Sequence, residues 1–542
     1  MSSFTLPAHG GPDAFDREGV LNGKPSITYQ EAGEQLDRAG FEWGAALGAP
    51  ATVTYAFRAD LPDPAPAGVA GFTPFTPEQM AYAQLSLEAW SDVANITFVR
   101  QGAGTSGAGA YSDDAQILFG GATSLSSQES GVTIPGPNTR SGTPQSIYVN
   151  DTETSSTLTP GGFGAHTLTH EIGHSIGLSH PGFYNASDGA APTYANDALY
   201  AEDDSQYSDM SYFNATYTGA YLLNNRPEAP QMDDISAAQR LYGANMTTRT
   251  GDDVYGFHSN TDRPWYSLTD PSQTFAATIW DAGGHDTLDF SLYAQDQFLD
   301  LREGAFSNVG GGIGNLAIYP GVAIEDAIAG AGNDVVLGNV FANTVLGLGG
   351  ADSLIGGGGA DTLFGNAGND VIFPGFADPA SGMTTTGVAA YGGQGDDVID
   401  ARATNAPNLL SGDIGNDTIF SGAGFETVLG GQGDDSLVGG SAAGAGSLQL
   451  LFGNQGADTL SYAGGGSVEL FGGQDDDVLS VSTSGQGQTH LLFGNLGDDT
   501  LTATGGYNSL YGGQGNDVVS VAADGAGHNY LSGDLGADTL TT

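Results

Sequence analysis

His170-Glu-Ile-Gly-His174-Ser-Ile-Gly177-Leu-Ser-His180 places three histidines and one glutamate at fixed spacing. On an α-helix, residues i and i+4 lie on one face, so His170 and His174 can bind one metal ion together. Gly177 tolerates a sharp reversal of the backbone, which can return His180 as a third ligand. Glu171 lies beside the first ligand, within reach of a water on the metal. Three neutral imidazoles leave one position open on zinc, which is typical of a catalytic site.

The alternative to a metal site is a chance H-E-x-x-H on a polar helix. The added glycine and third histidine make this alternative much weaker, because the full eleven-residue pattern is the metzincin signature. His166 could share the face of His170, but it lies outside the motif. We interpret it as an ordinary histidine of the helix start or of the preceding loop.

The composition is strongly acidic. The 542 residues include 12 Lys and Arg against 63 Asp and Glu, a net charge of −51. After Arg302 the only base is Arg402, so the second half should repel itself unless cations neutralise it. Phosphate binding needs basic patches, which argues against nucleic acid and anionic membrane surfaces as partners. The chain has no cysteine, so structural metal sites must use oxygen or nitrogen ligands.

The N-terminal sequence lacks the features of a targeting segment. Met1 to His9 has no basic region and no long apolar run, so we expect no Sec-type signal peptide, and we find no membrane-spanning stretch. This fits a cytosolic protein, or one exported by a route that does not read the N-terminus.

Residues 1 to about 245 have the composition of an ordinary globular domain. Thr76 and Pro77 are a typical N-cap and first-turn residue, and period-two alternation indicates strands. We expect strands at Ala51–Phe57, Ile96–Val99, Gln116–Phe119 and Ser146–Val149, and helices from Pro77 to about Val93, over Phe163–Leu178 and over Asp233–Leu241.

Glycine-rich repeats begin near Thr250, and the first set contains blocks of the form G-x-G-x-D-x-U, where U is aliphatic. Three blocks, with aspartates Asp352, Asp361 and Asp370, follow one another every nine residues. Glycine turns expose carbonyl oxygens and aspartate supplies a carboxylate, and calcium takes six to eight such oxygens. The aliphatic residue starts a short strand that points inward. This is the repeat of the calcium-binding parallel β-roll.

The second set follows a Pro/Thr/Ser/Ala break from Pro374 to about Ala390 and repeats in steps of 18 to 23 residues. A nine-residue repeat places a calcium turn on both edges of each coil, whereas a repeat near twenty would place one on a single edge. We therefore expect a solenoid with one calcium-bearing edge. The alternative is a flexible acidic linker, which does not explain why an aliphatic residue follows aspartate at a fixed offset in each block.

With these motifs, the chain resembles the serralysins, secreted bacterial zinc endopeptidases of the metzincin clan. The zinc motif continues as His180-Pro-Gly, and Tyr207-Ser-Asp-Met-Ser-Tyr212 looks like the family's Met-turn. Thr248–Phe257 and Trp280–Gly284 look like its calcium-binding junction, and Gly321-Val-Ala-Ile-Glu leads into its β-roll. The likeness covers roughly residues 20 to 375.

The resemblance implies a role for each residue of the zinc site. His170, His174 and His180 would bind zinc, and Glu171 would be the general base that passes a proton from the zinc-bound water to the leaving amine. Tyr212 would be an extra zinc ligand in the resting enzyme, and on substrate binding it would donate a hydrogen bond to the oxyanion. Met210 would form an apolar floor beneath the histidines. Without the family, Met210 and Tyr212 would be interpreted as ordinary core or surface residues.

The resemblance and the repeats together imply several structural calcium ions. Arg249 would contribute its backbone carbonyl, because its side chain has no acceptor. A solvated turn is the alternative for Asp281–Asp286, and repulsion within an unpaired acidic cluster argues against it. The candidate ligands are Arg249, Gly251, Asp253, Asp281, Gly283, Gly284, Asp286, Glu325, Gly330, Gly332, Asp334, Gly347, Gly349, Asp352, Gly356, Gly358, Asp361, Asp370, Asp397, Asp417, Asp435, Asp458, Asp477, Asp499 and Asp517.

The chain departs from the family pattern in several places. Asp209 occupies a Met-turn position that is usually apolar, Phe213 replaces a common tryptophan, and Ala323 stands where the family often has threonine. The family's C-terminal segment with its apolar export signal is not seen before Thr542, so type I secretion is expected from the family alone.

We therefore predict a multidomain protein in which an α+β zincin-type metalloprotease domain is followed by an all-β parallel β-roll and β-solenoid. The expected segments are a pro-segment or tail (1–18), the protease domain (19–245), the β-roll (246–375), a linker (376–391) and the longer-period solenoid (392–542).

The predicted function is that of a secreted metalloendopeptidase with one catalytic zinc ion and structural calcium ions. We expect protein and peptide substrates, a monomeric state and a proteinaceous inhibitor as a partner, but no nucleic acid and no membrane. The alternative is a calcium-binding extracellular surface or adhesion protein with a non-catalytic zincin module. The intact Glu171 and the three histidines favour the enzyme.

Overall fold

The computed structural model describes residues 7–62, 65–125, 130–134, 144–154, 157–185, 191–375, 386–440, 448–483, 487–522 and 528–542. The chain forms two compact units. The first comprises Met1–Asp286 with Glu303–Ala323, and the second comprises Thr287–Arg302 with Ile324–Thr542. The five-segment division remains a prediction, and parts of its tail and linker (1–6 and 376–385) lie outside the described residues.

The helices all lie in the first unit as far as the described residues show. They are α1 Tyr29–Leu36, α2 Pro77–Val93, α3 Asp151–Thr154, α4 Phe163–Ser175, α5 Tyr194–Asp197 and α6 Met232–Tyr242, with 3₁₀ turns at Ala108–Ala110, Ala215–Tyr217 and Pro264–Tyr266. No helix in the described ranges is both long and apolar enough to cross a bilayer.

The first strands along the chain belong to the same unit. They are β1 Val20–Leu21, β2 Lys24–Pro25, β3 Ala51–Phe57, β4 Val69–Thr73, β5 Ile96–Arg100, β6 Ile117–Leu125, β7 Gly131–Ile134, β8 Gln145–Asn150, β9 Val254–Phe257, β10 Ser267–Leu268 and β11 Ala277–Ile279.

The remaining strands form the second unit, except for β14 and β15 of the first. They are β12 Thr287–Asp289, β13 Phe298–Asp300, β14 Phe306–Ser307, β15 Leu316–Ile318, β16 Asp326–Ile328, β17 Val335–Leu337, β18 Thr344–Gly349, β19 Ser353–Ile355, β20 Thr362–Ala367, β21 Val371–Phe373, β22 Ala389–Gln394, β23 Val398–Asp400, β24 Asn408–Ile414, β25 Thr418–Phe420, β26 Glu426–Gln432, β27 Ser436–Gly439, β28 Leu448–Gln455, β29 Thr459–Tyr462, β30 Ser467–Gln474, β31 Val478–Ser482, β32 Thr489–Leu496, β33 Thr500–Thr504, β34 Tyr507–Gln514, β35 Val518–Val521, β36 Tyr530–Leu535 and β37 Thr539–Thr541.

The main sheet of the first unit has the order β5-β3-β6-β8-β7, with β4 pairing to β6. Strands β5, β3, β6 and β8 are parallel, whereas β7 and β4 pair antiparallel to their neighbours. Helices α2 and α4 pack against each other and against this sheet. The strand β7 therefore forms an edge of the sheet beside α4, which carries the histidine motif.

The helices begin within one residue of their predicted starts, with α6 starting at Met232 rather than Asp233, and the end of α4 differs from the prediction for a physical reason. Thr76 caps α2, and its hydroxyl accepts from the backbone N–H of Gln79. The helix α4 ends at Ser175 rather than Leu178, because the backbone turns at Gly177, where φ is +117°. A Cβ at Gly177 would collide with the carbonyl oxygen of Phe41, so only glycine fits this turn.

The second unit is a parallel β-solenoid with two sheets. One contains the even-numbered strands β12, β16, β18 and onward to β36, and the other contains β13 and the odd-numbered strands from β17 to β37. Each strand pairs in parallel with the equivalent strand of the next coil. In β30 and β32, for example, Leu470 lies opposite Leu492.

The core of the solenoid consists of two facing columns of aliphatic residues, as the repeat predicted. In the even-numbered sheet the column includes Val345, Leu363, Leu410, Val428, Leu451, Leu470, Leu492 and Leu510; in the other it includes Val336, Leu354, Ile372, Ile399, Ile419, Leu437, Leu460, Leu479, Leu501 and Val519. All of these residues are fully buried. The second residue after each repeat aspartate from Asp334 to Asp517 therefore supplies the core, and a flexible linker is excluded for the described part of the repeats.

Candidate zinc and calcium sites

The three motif histidines converge on one point. The Nε2 atom of His180 lies 3.2 Å from Nε2 of His170 and 3.1 Å from Nε2 of His174. Zinc bound tetrahedrally at 2.0–2.1 Å from each nitrogen requires nitrogen atoms about 3.3 Å apart. The triad therefore has the spacing and donor type of a zinc site.

Backbone carbonyls fix the protonation of all three rings. His170 Nδ1 donates to the Asp209 carbonyl at 2.9 Å, and His174 Nδ1 donates to the Leu178 carbonyl at 2.9 Å. His180 Nδ1 donates to the Tyr184 carbonyl at 2.8 Å. A carbonyl can only accept, so Nδ1 carries the proton and the Nε2 lone pair is left for a metal. Burial lowers the pKa of all three rings, that of His174 to about 4, so they are neutral at physiological pH.

The end of α4 and the return of His180 depend on contacts with the N-terminal region and with α6. At the end of the helix, the Ser175 carbonyl accepts a hydrogen bond from Trp43 Nε1 at 2.9 Å. The Ile176 carbonyl accepts one from the Tyr242 hydroxyl at 2.5 Å. The Arg38 guanidinium donates to the carbonyls of His180 and Gly182. The segment that carries the third histidine is thus held from both sides.

The Glu171 carboxylate is oriented by the edge strand β7. The Thr133 hydroxyl lies 2.6 Å from Glu171 Oε2 and 2.8 Å from the Glu171 carbonyl. Gly131, on the same strand, lies against this side chain, since a Cβ there would come 2.7 Å from Glu171 Cγ. The predicted base is therefore held beside the triad by the strand nearest to it.

Met210 and Tyr212 both lie beside the helix of the motif. Met210 is fully buried, and its sulfur lies so close to Gly173 that a Cβ at that position would meet it. The Tyr212 ring lies 4.4 Å from the His180 ring and 5.8 Å from the His170 ring, and 38% of the residue is exposed. Tyr212 is thus placed at the open side of the triad.

The unusual Asp209 forms a buried pair with His166. His166 Nδ1 lies 2.6 Å from Asp209 Oδ1 and 3.0 Å from the Pro227 carbonyl, and Asp209 is fully buried. Burial raises the pKa of Asp209, and the nearby His166 opposes this rise. Because the Asp209 carbonyl also accepts from His170, the pair fixes the Met-turn to α4. His166 is thus a structural residue of the helix.

The first predicted calcium site contains three carboxylates that the structure brings together. Oxygen atoms of Asp253, Asp281 and Asp286 lie within 4.8 Å of one another. A Cβ at Gly284 would collide with the Gly251 carbonyl oxygen. This oxygen therefore lies close to the loop between Asp281 and Asp286. Burial raises the pKa values of Asp253 and Asp281, as expected for carboxylates without a cation.

The other residues predicted for this site lie outside the group of three carboxylates. The Arg249 side chain pairs with Asp92 at 2.9 Å, and its carbonyl accepts from the N–H of Ala282 at 3.2 Å. Gly283 donates its N–H to Asp281 at 2.7 Å. Glu325 lies in the second unit, and its contribution to calcium binding remains a prediction.

The repeat aspartates form a continuous ladder along one edge of the solenoid, which we name the aspartate edge. Each backbone N–H donates to Oδ1 of the aspartate in the next coil, at 2.7–3.0 Å. The ladder consists of Asp334, Asp352, Asp370, Asp397, Asp417, Asp435, Asp458, Asp477, Asp499, Asp517 and Asp538. Turns with Gly330, Gly332, Gly347 and Gly349 belong to the same edge. Both repeat sets therefore share one uninterrupted edge.

The second carboxylate oxygen of most repeat aspartates has no hydrogen-bond partner among the described residues. Oδ2 is buried and without a hydrogen bond in Asp352, Asp361, Asp370, Asp397, Asp417, Asp435, Asp458, Asp477, Asp499 and Asp517. It faces a glycine of its own turn and a carbonyl of the next coil: a Cβ at Gly472 would collide with Asp477 Oδ2 and lie 2.8 Å from the Gly494 carbonyl. Buried anionic and carbonyl oxygens that converge in this way fit a calcium ion.

Burial also raises the pKa values of most ladder aspartates, to between about 6 and about 8. Asp352 and Asp477 rise to about 8, and Asp334 and Asp499 to about 6. Repulsion from neighbouring aspartates adds to the effect. Burial of these carboxylates therefore destabilises the folded state when no cation is bound.

The opposite edge of the solenoid changes character after the first repeat set. Asp361, in the turn with Gly356 and Gly358, occupies the same register as Val388, Asn408, Glu426, Gln449, Val468, His490 and Asn508 of the following coils. The amides there hold the turns directly, as when Asn508 Nδ2 donates to the Gly505 carbonyl at 3.0 Å. Among the described residues of the second set, the glycine-aspartate turns thus lie on one edge only, as the repeat length predicted.

These features define the class of the protein: an α+β unit with a metzincin-type histidine triad, followed along the chain by a parallel β-solenoid with calcium-type turns. Residues 244–411 match the model of the serralysin C-terminal region of M10 peptidases, and four stretches between 411 and 542 match the RTX calcium-binding nonapeptide repeat.

Known proteins of the same class are similar over about 60% of the chain. Serralysin C of Dickeya chrysanthemi is 43% identical over 321 residues, which cover 59% of this chain and 66% of that protein. Metalloprotease AprA of Pseudomonas entomophila is 41% identical over 341 residues, which cover 61% and 68%. The chain belongs to the serralysin family, although the match to Serralysin C spans less than two thirds of that protein's length.

Two contacts of the site were not predicted from the sequence. Thr133 lies in a short edge strand with no motif of its own, so nothing marked it as the partner of Glu171. The pairing of His166 with Asp209 joins two residues 43 positions apart. Each had been noted singly, and only the unusual aspartate in the Met-turn could have suggested a partner.

Substitution of a ladder aspartate should have opposite effects with and without calcium. In calcium, Asp477→Asn should lower Tm by about 5–10 °C, because one ion site is lost. In chelator, the same variant should have a Tm equal to or above that of the wild type, because it removes a buried charge. The exposed Asp476→Asn is the matched control, since its Oδ1 also accepts an N–H of the next coil. A Tm that falls equally in both buffers would contradict calcium binding at Asp477.

The chelated protein should become less stable as pH rises. Burial raises the pKa values of most ladder aspartates to about 6 to 8, against 3.8 for the group in water, so the folded state keeps protons that the unfolded chain has lost. This contribution to stability is complete below about pH 4 and disappears by about pH 8. We expect Tm in chelator to fall over this range by calorimetry, and calcium to remove most of the fall. A rise in the Tm of the chelated protein between pH 5 and 8 would refute this account.

Proposed function

We propose that the protein is a secreted zinc-dependent endopeptidase whose solenoid is stabilised by calcium. The observation that carries the proposal is the convergence of three neutral Nε2 atoms, with the Glu171 carboxylate held beside them. Zinc bound there would activate water as a nucleophile and polarise the scissile carbonyl. Membership of the serralysin family supports the same reaction.

Glu171 is proposed as the general base. Its place on α4, next to His170, and its position in the wall of the same cavity support this role. The hydroxyl of Thr133 then restricts its rotation. From there Glu171 would accept a proton from the attacking water and transfer it to the leaving amine.

Substrate is proposed to bind along β7. This strand lies at one end of the sheet order, next to α4, and runs antiparallel to β8. An extended peptide could pair with its outer edge, so that main-chain hydrogen bonds align the scissile bond with the triad. Such binding does not require a chain end, which agrees with cleavage within proteins and peptides.

Tyr212 is proposed to stabilise the oxyanion. Its ring lies over the open side of the triad, next to His180, and it is partly exposed. A phenol in this position can donate a hydrogen bond to a developing negative charge. Its role as an extra ligand of zinc in the resting state rests on the family resemblance.

Calcium is proposed to control where the repeats fold. The unpartnered Oδ2 atoms of the aspartate edge would destabilise the solenoid where calcium is scarce, and millimolar calcium outside the cell would neutralise them. The five-segment organisation, a monomeric state, secretion by a type I route and recognition by a proteinaceous inhibitor are further parts of this proposal. They rest on the repeats and on the family.

The central test is hydrolysis of casein in calcium by the wild type, Glu171→Gln and a zinc-depleted sample. Loss of a general base should reduce kcat by about 10²–10⁴-fold, and restored zinc should rescue the depleted wild type but not the variant. Glu78→Gln, on the exposed start of α2, is the matched control and should be fully active. An inactive wild type with zinc bound and the fold intact would contradict the proposal and favour a calcium-binding surface protein.

A further inference from the structure

A cavity of about 210 Å³ opens beside the histidine triad. One wall is a single face of α4, formed by Phe163, His166, Thr167, His170 and Glu171. These residues recur at helical spacing over two turns, so the cavity runs along the helix, away from the metal position. Its far wall contains Arg226.

The Arg226 guanidinium lies over the ring of Phe163, with Cζ 5.2 Å from the ring centre. Phe163 precedes His170 by seven residues, which places it about 10 Å along the helix from that histidine. Arg226 also borders a second cavity, which Phe163 does not line. The contact with Phe163 therefore assigns the guanidinium to the cavity beside the triad.

Arg226 differs from the other described bases because its side chain has no polar partner within the described part of the chain. Three bases, Lys24, Arg38 and Arg100, donate to backbone carbonyls. The others form ion pairs with carboxylates: Arg17, Arg58, Arg240, Arg249, Arg263, Arg302 and Arg402. Arg140 lies outside the described residues. In a chain with 63 acidic residues, an unpaired arginine beside the reaction centre needs an explanation.

The acidic residue that attracts Arg226 is already engaged. Asp209 binds His166 at 2.6 Å, and no carboxylate of the described residues lies within ion-pair distance of Arg226. Burial lowers the pKa of Arg226, and the charge of Asp209 only partly opposes this shift. The guanidinium is thus partly desolvated without a counter-ion, which strengthens its attraction for an incoming anion.

We propose that Arg226 binds a carboxylate on the substrate residue that follows the scissile bond, which makes it a specificity-determining residue. This rests on the proposed endopeptidase function. Glu171 lines the cavity and would deliver its proton to the leaving amine, so the residue that contains this amine lies on the cavity's side of the metal. Its side chain can extend along α4 towards Phe163 and meet the guanidinium. A glutamate side chain reaches further in this direction than an aspartate.

The test compares peptides that differ only at the residue after the scissile bond, with cleavage followed by liquid chromatography of the products. The first arm uses peptides blocked at both ends, with glutamate or glutamine at that position. The second arm uses peptides that end at that position with alanine, either as a free acid or as an amide. The first arm reports a side-chain carboxylate, and the second reports a terminal one.

The wild type should cleave at least one acidic peptide with a kcat/KM about tenfold above its neutral counterpart, mainly through a lower KM. Arg226→Gln should bring that ratio close to one. Arg226→Lys should keep part of it, because the charge remains but the paired hydrogen bonds do not. Arg240→Gln removes the same charge outside the cavity and should leave the ratio unchanged.

The outcomes separate this inference from the proposed function. Cleavage of all peptides with equal kcat/KM in both arms would overturn the role of Arg226 while leaving the endopeptidase intact. A preference that survives in a folded Arg226→Gln variant would also overturn it. Absence of any cleavage, with casein also intact, would refute the endopeptidase itself.

Discussion

The buried carboxylates of the aspartate edge are the constraint on which the second unit depends. Each ladder aspartate uses Oδ1 to bind the N–H of the preceding coil, and this contact sets the register of the whole stack. From Asp352 to Asp517 the same geometry buries Oδ2 against glycine, where no donor of the described residues reaches it. The chain therefore gains a regular solenoid only if protons or cations neutralise that row. Its nearly complete lack of lysine and arginine after Arg302 leaves this task to an external ion.

The histidine triad differs from the aspartate edge in that its candidate metal ligands carry no charge. Its ligands are neutral, because burial lowers their pKa values and backbone carbonyls hold each proton on Nδ1. The site is therefore ready for a metal without repulsion among its ligands. Imidazole nitrogen atoms suit zinc at the triad, whereas carboxylate and carbonyl oxygens suit calcium in the repeats. Two metals can thus serve one chain with little competition.

The sequence predicted those features that depend on local spacing. The HExxHxxGxxH pattern identified the helix and the triad, and the repeat length predicted a single glycine-aspartate edge in the second set. Two features depended on tertiary contacts that leave no spacing signal: the contact of Thr133 with Glu171, and the pair of His166 with Asp209. The position of Arg226 beside the triad also could not be predicted from the sequence. Its lack of a partner among the described residues is seen only from the tertiary contacts.

The most direct test of the account is the metal content of the intact protein, dialysed against calcium and trace zinc and measured by mass spectrometry. We predict one zinc per chain, which is lost in His180→Ala, and about ten calcium ions, near the number of ladder-type aspartates with an unpartnered Oδ2. A wild type without zinc, or one whose calcium content is close to zero or twice that number, would contradict the assignment of zinc to the triad and calcium to a single edge.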